Sequence, residues 1–286
     1  MWGTIWMKRI FLKVSRELLP QIKDKYPFIY LEHGRLEVDD SSVKWISSEN
    51  IVVHIPVATI NCILLGPGTS VTHEAVKVIA SCNCLLSWIG ADSLLYYASG
   101  ESSTANTYNL KKQIVLATNS KRKLEVARRM YKYRFPDVDL SNKSLAEMMG
   151  LEGIRVRTMY TNYSKIYDVH WERRNYIPGN IGYSDTTNKI LTCCNAALYG
   201  ILLSVVHALG FSPKIGFIHS GCPLPFIYDL ADLYKEETSI EPAFRLTREL
   251  NYTYNKDYVS ESFAKIVVEN SILERAVKDI YTIMEV

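Results

Sequence analysis

The chain has 286 residues, 48% of them hydrophobic and 22% charged, with a formal net charge of +3. That apolar fraction is enough for one large core or two medium ones and excludes a disordered chain. The longest apolar stretch, 196–211, contains His207 and is too short to span a bilayer comfortably, so no membrane partner is expected.

The N-terminal stretch "MWGTIWMKRIFLKVSRELL" is interrupted by Lys8, Arg9, Lys13 and Arg16 and lacks the basic-then-apolar order of a signal peptide. From residue 28 to 98 the pattern is that of strands. "FIYLEHGRLEVDD" reads as a hairpin turning at His33-Gly34, and "SVKWI", "NIVVHI" and "TINCILLG" follow as β-branched runs. "SVTHEAVKVIASC" interrupts them with one short amphipathic helix, in which Val71, Ala75, Val78 and Ile79 recur at helical spacing. "NCLLSWIG" and "SLLYYAS" add two more strands. The small, polar, aperiodic "SGESSTANT" at 99–107 reads as a linker.

Beyond it the pattern is helical. Residues 109–135 hold two basic helices broken near Asn119-Ser120, and 144–169 hold another that carries Glu152. The segment from Ser184 starts at a Ser/Asp/Thr cap and stops at Gly210, as a buried helix does. Asn188, Thr192, Asn195 and Tyr199 form a polar stripe along it, and a last helix fills roughly 259–283. The fold class is therefore α+β: a small N-terminal β-rich domain (1–98), a linker (99–107) and a larger all-α C-terminal domain (108–286).

Six cysteines (62, 82, 84, 193, 194, 222) form no C-x-x-C pair and no zinc spacing, which fits buried thiols in a reducing, cytoplasmic compartment. The charge distribution says more than the net charge. Lys111, Lys112, Lys121, Arg122, Lys123, Arg128, Arg129, Lys132 and Arg134 face a single acid, Glu125, within 24 residues, and a second cluster includes Arg155, Arg157, Lys165, Arg173 and Arg174. Such a basic face suits polyphosphate, although any one run is also what a solvated helix surface looks like.

In "GFIHSGCPLPFIYDLADLYKEE" (216–237), His219 stands beside a Gly/Pro-broken loop, after a run from Pro213 that looks extended, and a helix with Asp229 and Asp232 follows. On a helical wheel Leu230, Ala231 and Tyr234 cluster around Ile227, with Asp229, Asp232 and Glu236 opposite. From this segment alone, that is an amphipathic helix with a solvated acidic face. Against it, two carboxylates at i, i+3 can approach one cation, the loop can fold His219 back over the helix start, and Glu152 stands before two Arg in "LEGIRVRTMY". One imidazole nitrogen with carboxylates suits six-coordinate Mg²⁺ or Mn²⁺ better than tetrahedral zinc.

"LEGIRVRTMY", "DTTNKILTCCNAALYGILLSVVHALGFSPKIGFIHSGCPLPFIYDLADLYK" and "HIPVATINCILLGPGTSVTHEAVKVIASCNCLLSWIG" together resemble the CRISPR-associated adaptation integrase, in its subtype I-E branch. The resemblance runs from about residue 28 to 250. It implies a metal triad of Glu152, His219 and Asp232, with Asp229 as a supporting acid, and Mg²⁺ or Mn²⁺ as cofactor. It implies Tyr176 and Tyr199 as readers of the motif beside the incoming spacer, and His33 where relatives place a Tyr that wedges open the duplex end. Where relatives often carry an Arg after "PGT", this chain has Ser70. It further implies a homodimer, a small ferredoxin-like adaptation protein as partner, and double-stranded DNA with 3′ ends (the prespacer) and CRISPR repeat DNA as substrates. Terminal hydroxyls would attack the repeat by transesterification, as part of antiviral defence. Lys121, Arg122, Lys123, Arg128, Arg155, Arg157, Arg245 and Arg248, together with Arg173 and Arg174, are then expected to grip phosphates. The rival expectations are a non-catalytic DNA-binding scaffold and a metal hydrolase of small phosphoesters, which would not need so basic a face.

Overall fold

The structure is a computed structural model, describing residues 24–39, 42–90, 96–100, 107–175 and 184–285. Strands come first: β1 (Tyr26–Leu31), β2 (Gly34–Asp39), β3 (Ser42–Ser47), β4 (Val52–Ile55), β5 (Ile60–Leu65) and β6 (Thr69–Val71), then helix α1 (His73–Ser81), β7 (Leu85–Ile89) and β8 (Tyr96–Ser99). Helices follow: α2 (Tyr108–Thr118), α3 (Ser120–Arg134), α4 (Leu145–Ile166), α5 (Thr186–Ala208), α6 (Pro225–Ala231), α7 (Glu241–Glu249), α8 (Lys256–Glu269) and α9 (Ile272–Met284). A β-rich N-terminal region thus precedes a helical C-terminal one, as expected from the sequence.

The expected hairpin at His33-Gly34 is not formed. β1 and β2 lie in different four-stranded sheets, one ordered β1-β5-β7-β8 and the other β4-β3-β2-β6. β1 pairs parallel with β5, and β2 pairs antiparallel with β3. His33 is the corner between the sheets, with φ of 53° and its N–H donating to the Pro67 carbonyl 3.0 Å away. The physical reason is that β5 is buried along its whole length, which is the demand of a central parallel strand, and β1 satisfies one of its edges. The α1 expectation needs a smaller correction. Val71 ends β6, and the helix begins after Thr72, whose side chain accepts from the Ala75 N–H.

β5 also divides the interior. Its Ile63 and Leu65 face an N-terminal core with Leu36, Val43 and Ile79, while Cys62 and Leu64 face the helical core around α5. α5 can approach this closely because position 200 is glycine; a Cβ there would lie 2.8 Å from Leu64 Cδ2. A hydrogen bond from Asn61 to Ser204 and ring packing of Phe28 on Phe263 (5.8 Å) complete the junction.

α5 is capped by Asp185 and ends before Gly210 at φ 75°. At 23 residues it is long and apolar enough to cross a membrane, longer than the apolar run in the sequence suggests, but most of it is buried inside the protein. α2 and α3 part at Asn119, which caps α3, and α4 opens with a capping box between Ser144 and Glu147. The single C-terminal helix expected over 259–283 is instead two, α8 and α9, parted at Ser271 in a left-handed conformation. All six cysteines are free thiols, four of them buried. Burial pushes the Cys62 thiol up to about 12.

Candidate active site

Residues 213–217 are an irregular loop rather than an extended strand, and a buried carboxylate sets its path. Asp229 Oδ2 accepts from the N–H groups of Phe217 (2.6 Å) and Ile218 (3.1 Å), and Oδ1 accepts from the His219 N–H at 2.8 Å. The same Oδ1 lies 2.8 Å from His219 Nδ1. Asp229 is 0% exposed, so the solvated acidic face read from the helical wheel is corrected. α6 has only seven residues, and the loop it anchors covers its outer side. Asp229 is thereby occupied by the chain itself, and its fixed contact turns the other imidazole nitrogen, Nε2, outward.

Asp232, at the end of α6, lies with its Oδ2 3.9 Å from His219 Nε2. Its Oδ1 accepts from Lys235 Nζ at 2.8 Å. Glu152 comes from α4, about two turns into the helix, and Arg134, the last residue of α3, joins the two acids. Arg134 Nη1 is 3.4 Å from Glu152 Oε1 and 3.6 Å from Asp232 Oδ2. Arg155 Nη1 flanks Glu152 Oε1 at 3.4 Å and its other terminal nitrogen pairs with Glu236. Glu152, His219 and Asp232 are therefore brought together by three separate segments.

Each ionisable group feels this setting. Burial raises the Glu152 carboxyl above its ordinary value, with Arg134 and Arg155 opposing. Burial also pushes Asp232 up, but Lys235 and Arg134 outweigh it and hold that carboxyl low. The hydrogen bond to Asp229 raises His219. Burial drives the phenol of Tyr131, beneath Arg134, up to about 12.

The donor atoms left over fit a hard divalent cation. Glu152 Oε2 is buried with no hydrogen-bond partner, His219 Nε2 is turned out by the Asp229 contact, and Asp232 Oδ2 has only the long contacts above. A carboxylate holding the far nitrogen of a ligand histidine is the usual way to fix its tautomer and direction. As they stand, no three His, Cys, Asp or Glu side chains among the described residues converge closely enough to enclose an ion. The Arg134 guanidinium stands between the carboxylates.

The three residues open onto a cavity of about 760 Å³ between α4, α5 and α6. The polar stripe expected on α5 lines it through Thr192, Asn195 and Tyr199, while Asn188 of the stripe holds Arg174, with Oδ1 2.7 Å from Arg174 Nη1. Tyr199 packs edge-on against Tyr228 at 5.1 Å, Tyr228 against the His219 ring at 6.1 Å, and Lys235 Nζ lies 5.3 Å from the Tyr199 ring centre.

The family model described as CRISPR associated protein Cas1 matches residues 134–278, from Arg134 through the whole of this site. A curated relative, "CRISPR-associated endonuclease Cas1 2" of Chlorobaculum tepidum, is 56% identical over 276 residues, covering 96% of this chain and 93% of its own length. The chain belongs to the Cas1 family. Among solved structures, a TtCas1–DNA complex is similar at a TM-score of 0.80 and 33% identity, covering 90% of this chain and 91% of that one. A casposase bound to integration product shares the fold alone, at a TM-score of 0.70 and 16% identity, with 90% of each chain covered.

In this Cas1 chain the expected phosphate-gripping residues divide into two sets. Lys121 and Arg122 are exposed on the first turn of α3, Lys123 is half-exposed beside them, and Arg157 is exposed on α4. The others have intramolecular partners. Arg128 donates to the Lys143 carbonyl, Arg245 pairs with Glu241 and Glu249 at 3.1 Å each, Arg248 lies 3.8 Å from Asp168, and Arg155 belongs to the Glu152 cluster. Tyr176 lies outside the described residues. His33 is exposed at its corner, and the Arg173 carbonyl accepts from the Asn188 amide.

Sequence reasoning missed Arg134, Lys235 and Tyr228 as parts of the site. Lys235 carried a signal, standing three residues after Asp232 within the quoted segment. Arg134 carried none, being one cation among nine in a basic run.

Proposed function

We propose that this chain is a divalent-metal-dependent DNA endonuclease and integrase of CRISPR adaptation, of the subtype I-E branch, inserting new spacers by transesterification. The observation that carries the reading is that Glu152, His219 and Asp232, from three separate segments, line one α4–α5–α6 cavity, each with a donor atom not taken up by a short hydrogen bond. Those three residues would hold Mg²⁺ or Mn²⁺, which when bound would activate an attacking hydroxyl and offset charge on the departing oxygen. By accepting from Nδ1–H, Asp229 fixes the tautomer of the neutral imidazole, in which Nε2 would present its lone pair to the site. Lys235 places a positive charge beside Asp232, where it can steady a phosphate oxygen as negative charge builds. The 3′-hydroxyl oxygen of the incoming strand bonds to the phosphorus at the repeat boundary, and the bond from that phosphorus to the 3′ oxygen of the preceding nucleotide breaks. The proton lost by the attacking hydroxyl is matched by one that the departing 3′ oxygen takes up from solvent.

The similarity to a DNA-bound relative supports DNA as what this chain acts on; duplex DNA with 3′ ends and CRISPR repeat DNA are the substrates of this reading. A homodimer working with a small ferredoxin-like adaptation protein in the cytoplasm, with 1–98, 99–107 and 108–286 as β domain, linker and catalytic domain, completes the reading. Tyr199, and Tyr176 with it, would contact the strand end near the cavity, and His33 the duplex end.

A second reading draws on the Arg134 bridge: acids already matched by a buried guanidinium also suit a non-catalytic scaffold. Branched DNA mimicking a half-integrated spacer separates the two. Strand rejoining that needs Mg²⁺ or Mn²⁺, stops with EDTA and is lost in Glu152→Ala and His219→Ala supports the integrase. Intact DNA binding with no metal-dependent chemistry, after the small partner protein is added, would leave only the scaffold.

A further inference from the structure

Arg134 is the least satisfied buried cation among the described residues. Its side chain is 2% exposed, yet Nε and Nη2 are buried without hydrogen-bond partners. A guanidinium carries five N–H donors and is costly to bury unless they are used. Here one nitrogen, Nη1, makes the contacts to both Glu152 and Asp232, at 3.4 and 3.6 Å, longer than a well-made charge-assisted hydrogen bond. The ring of Tyr131 supports the guanidinium from the other side at 4.2 Å. Glu152 Oε2, on the same carboxylate, is likewise buried and unpartnered. Both sides of this contact thus keep unused capacity, and the two carboxylates that share it are those expected to hold the metal.

We propose that Arg134 is a resident counter-ion of Glu152 and Asp232, which a divalent cation must displace from both in order to bind. The inference rests on the metal-site reading above and adds a role for a residue that is not itself a ligand. In the metal-free protein Arg134 offsets two acids that would otherwise repel each other across a buried gap. Competition with it sets the metal affinity lower than a histidine and two carboxylates would give alone. Arg155 and Lys235 do not take this part. Arg155 touches Glu152 at 3.4 Å but not Asp232, with its other terminal nitrogen on Glu236, and Lys235 holds the other oxygen of Asp232, so neither bridges the two carboxylates.

The test is a Mn²⁺ titration of the DNA-free protein, read as loss of the free-ion electron paramagnetic resonance signal, on wild type, Arg134→Met and Arg134→Lys. Arg134→Met is expected to bind Mn²⁺ more tightly by on the order of tenfold, and Arg134→Lys to stay near wild type. Arg134→Met should also melt lower without metal and recover more of its melting temperature with Mn²⁺ than wild type gains. Equal or weaker Mn²⁺ binding by a folded Arg134→Met overturns the proposal. If that variant does not fold, the Arg134 side-chain N–H resonance of wild type, assigned by its absence in Arg134→Lys, decides. A shift on Mg²⁺ saturation is expected, and an unmoved resonance overturns the displacement. Absence of Mn²⁺ binding in wild type and both variants would instead overturn the metal site itself, a different failure from a site that binds Mn²⁺ indifferently to Arg134.

Discussion

The two ends of α3 carry the same kind of residue and treat it in opposite ways. At the N-terminal end Lys121 and Arg122 project into solvent beside the cap Asn119, while at the C-terminal end Arg134 is buried against Glu152 and Asp232. In composition these are one basic run. In the fold, the first set has no ion pair among the described residues and can take counter-charges from a phosphate backbone, whereas the last has found them inside the chain. Asp229 and Asp232 repeat the lesson three residues apart. One is consumed in folding the His219 loop and the other keeps an oxygen turned to the site.

The largest expected effect comes from the buried member of that second pair. Asp229→Ala would leave the N–H groups of Phe217, Ile218 and His219 without their acceptor, at a cost of roughly 3–5 kcal/mol. Chemical denaturation should show this as a lowered midpoint, with activity lost because His219 is no longer aimed. Asp232→Asn, by contrast, should lose metal-dependent activity with a much smaller change in midpoint. Equal destabilisation by the two would erase the distinction drawn between them.

A middle-sized effect is expected where the β-rich and helical regions meet. Gly200→Ala would put a methyl 2.8 Å from Leu64 Cδ2 and push α5 from β5, costing about 1–3 kcal/mol in thermal unfolding. An unchanged melting temperature would mean that the junction is looser than its geometry.

At the exposed end of α3, Lys121→Ala with Arg122→Ala should weaken DNA binding at low salt and reduce the slope of log affinity against log salt by about 2. Arg245→Ala, whose partner charges are Glu241 and Glu249, should change that slope less. Binding that is flat with salt in the wild type would contradict the basic-face reading.

The smallest effect concerns Glu32, which pairs with Lys256 across β1 and α8. Burial pushes its carboxyl up, but Lys256 and Tyr30 outweigh this and lower it. A carboxyl lowered on folding stabilises above its unfolded pKa, and that contribution is lost as pH falls through the lowered value. Removing it with Glu32→Gln should cost less than about 1 kcal/mol near neutral pH, with the difference from wild type vanishing in acid. A difference that grew in acid would reverse the sign argued here.

Much of the fold was readable before the structure because its signals are local. Asn119 between two basic helices, the Asp185 cap and the apolar length of α5 each act within a few residues. What escaped depends on distant partners. β1 looks like half of a hairpin until β5, some 30 residues on, claims its edge. Ser271 breaks the C-terminal helix with no glycine or proline to announce it. In the site, Glu152, His219 and Asp232 came from family resemblance, since the helical wheel alone placed both aspartates in solvent. The wheel failed because it contains no loop, and a loop built on Asp229 is what covers that face. Arg134 was out of reach because nothing in a run of cations says which one will be buried.

The most direct test is anomalous diffraction from crystals of the protein soaked in Mn²⁺. The expected result is one ion held by Glu152, His219 and Asp232, with Asp229 outside the shell and still bonded to the backbone at 217–219. Mn²⁺ bound elsewhere while these three side chains stay as described, or an ion that takes Asp229 in place of Asp232, would contradict the account.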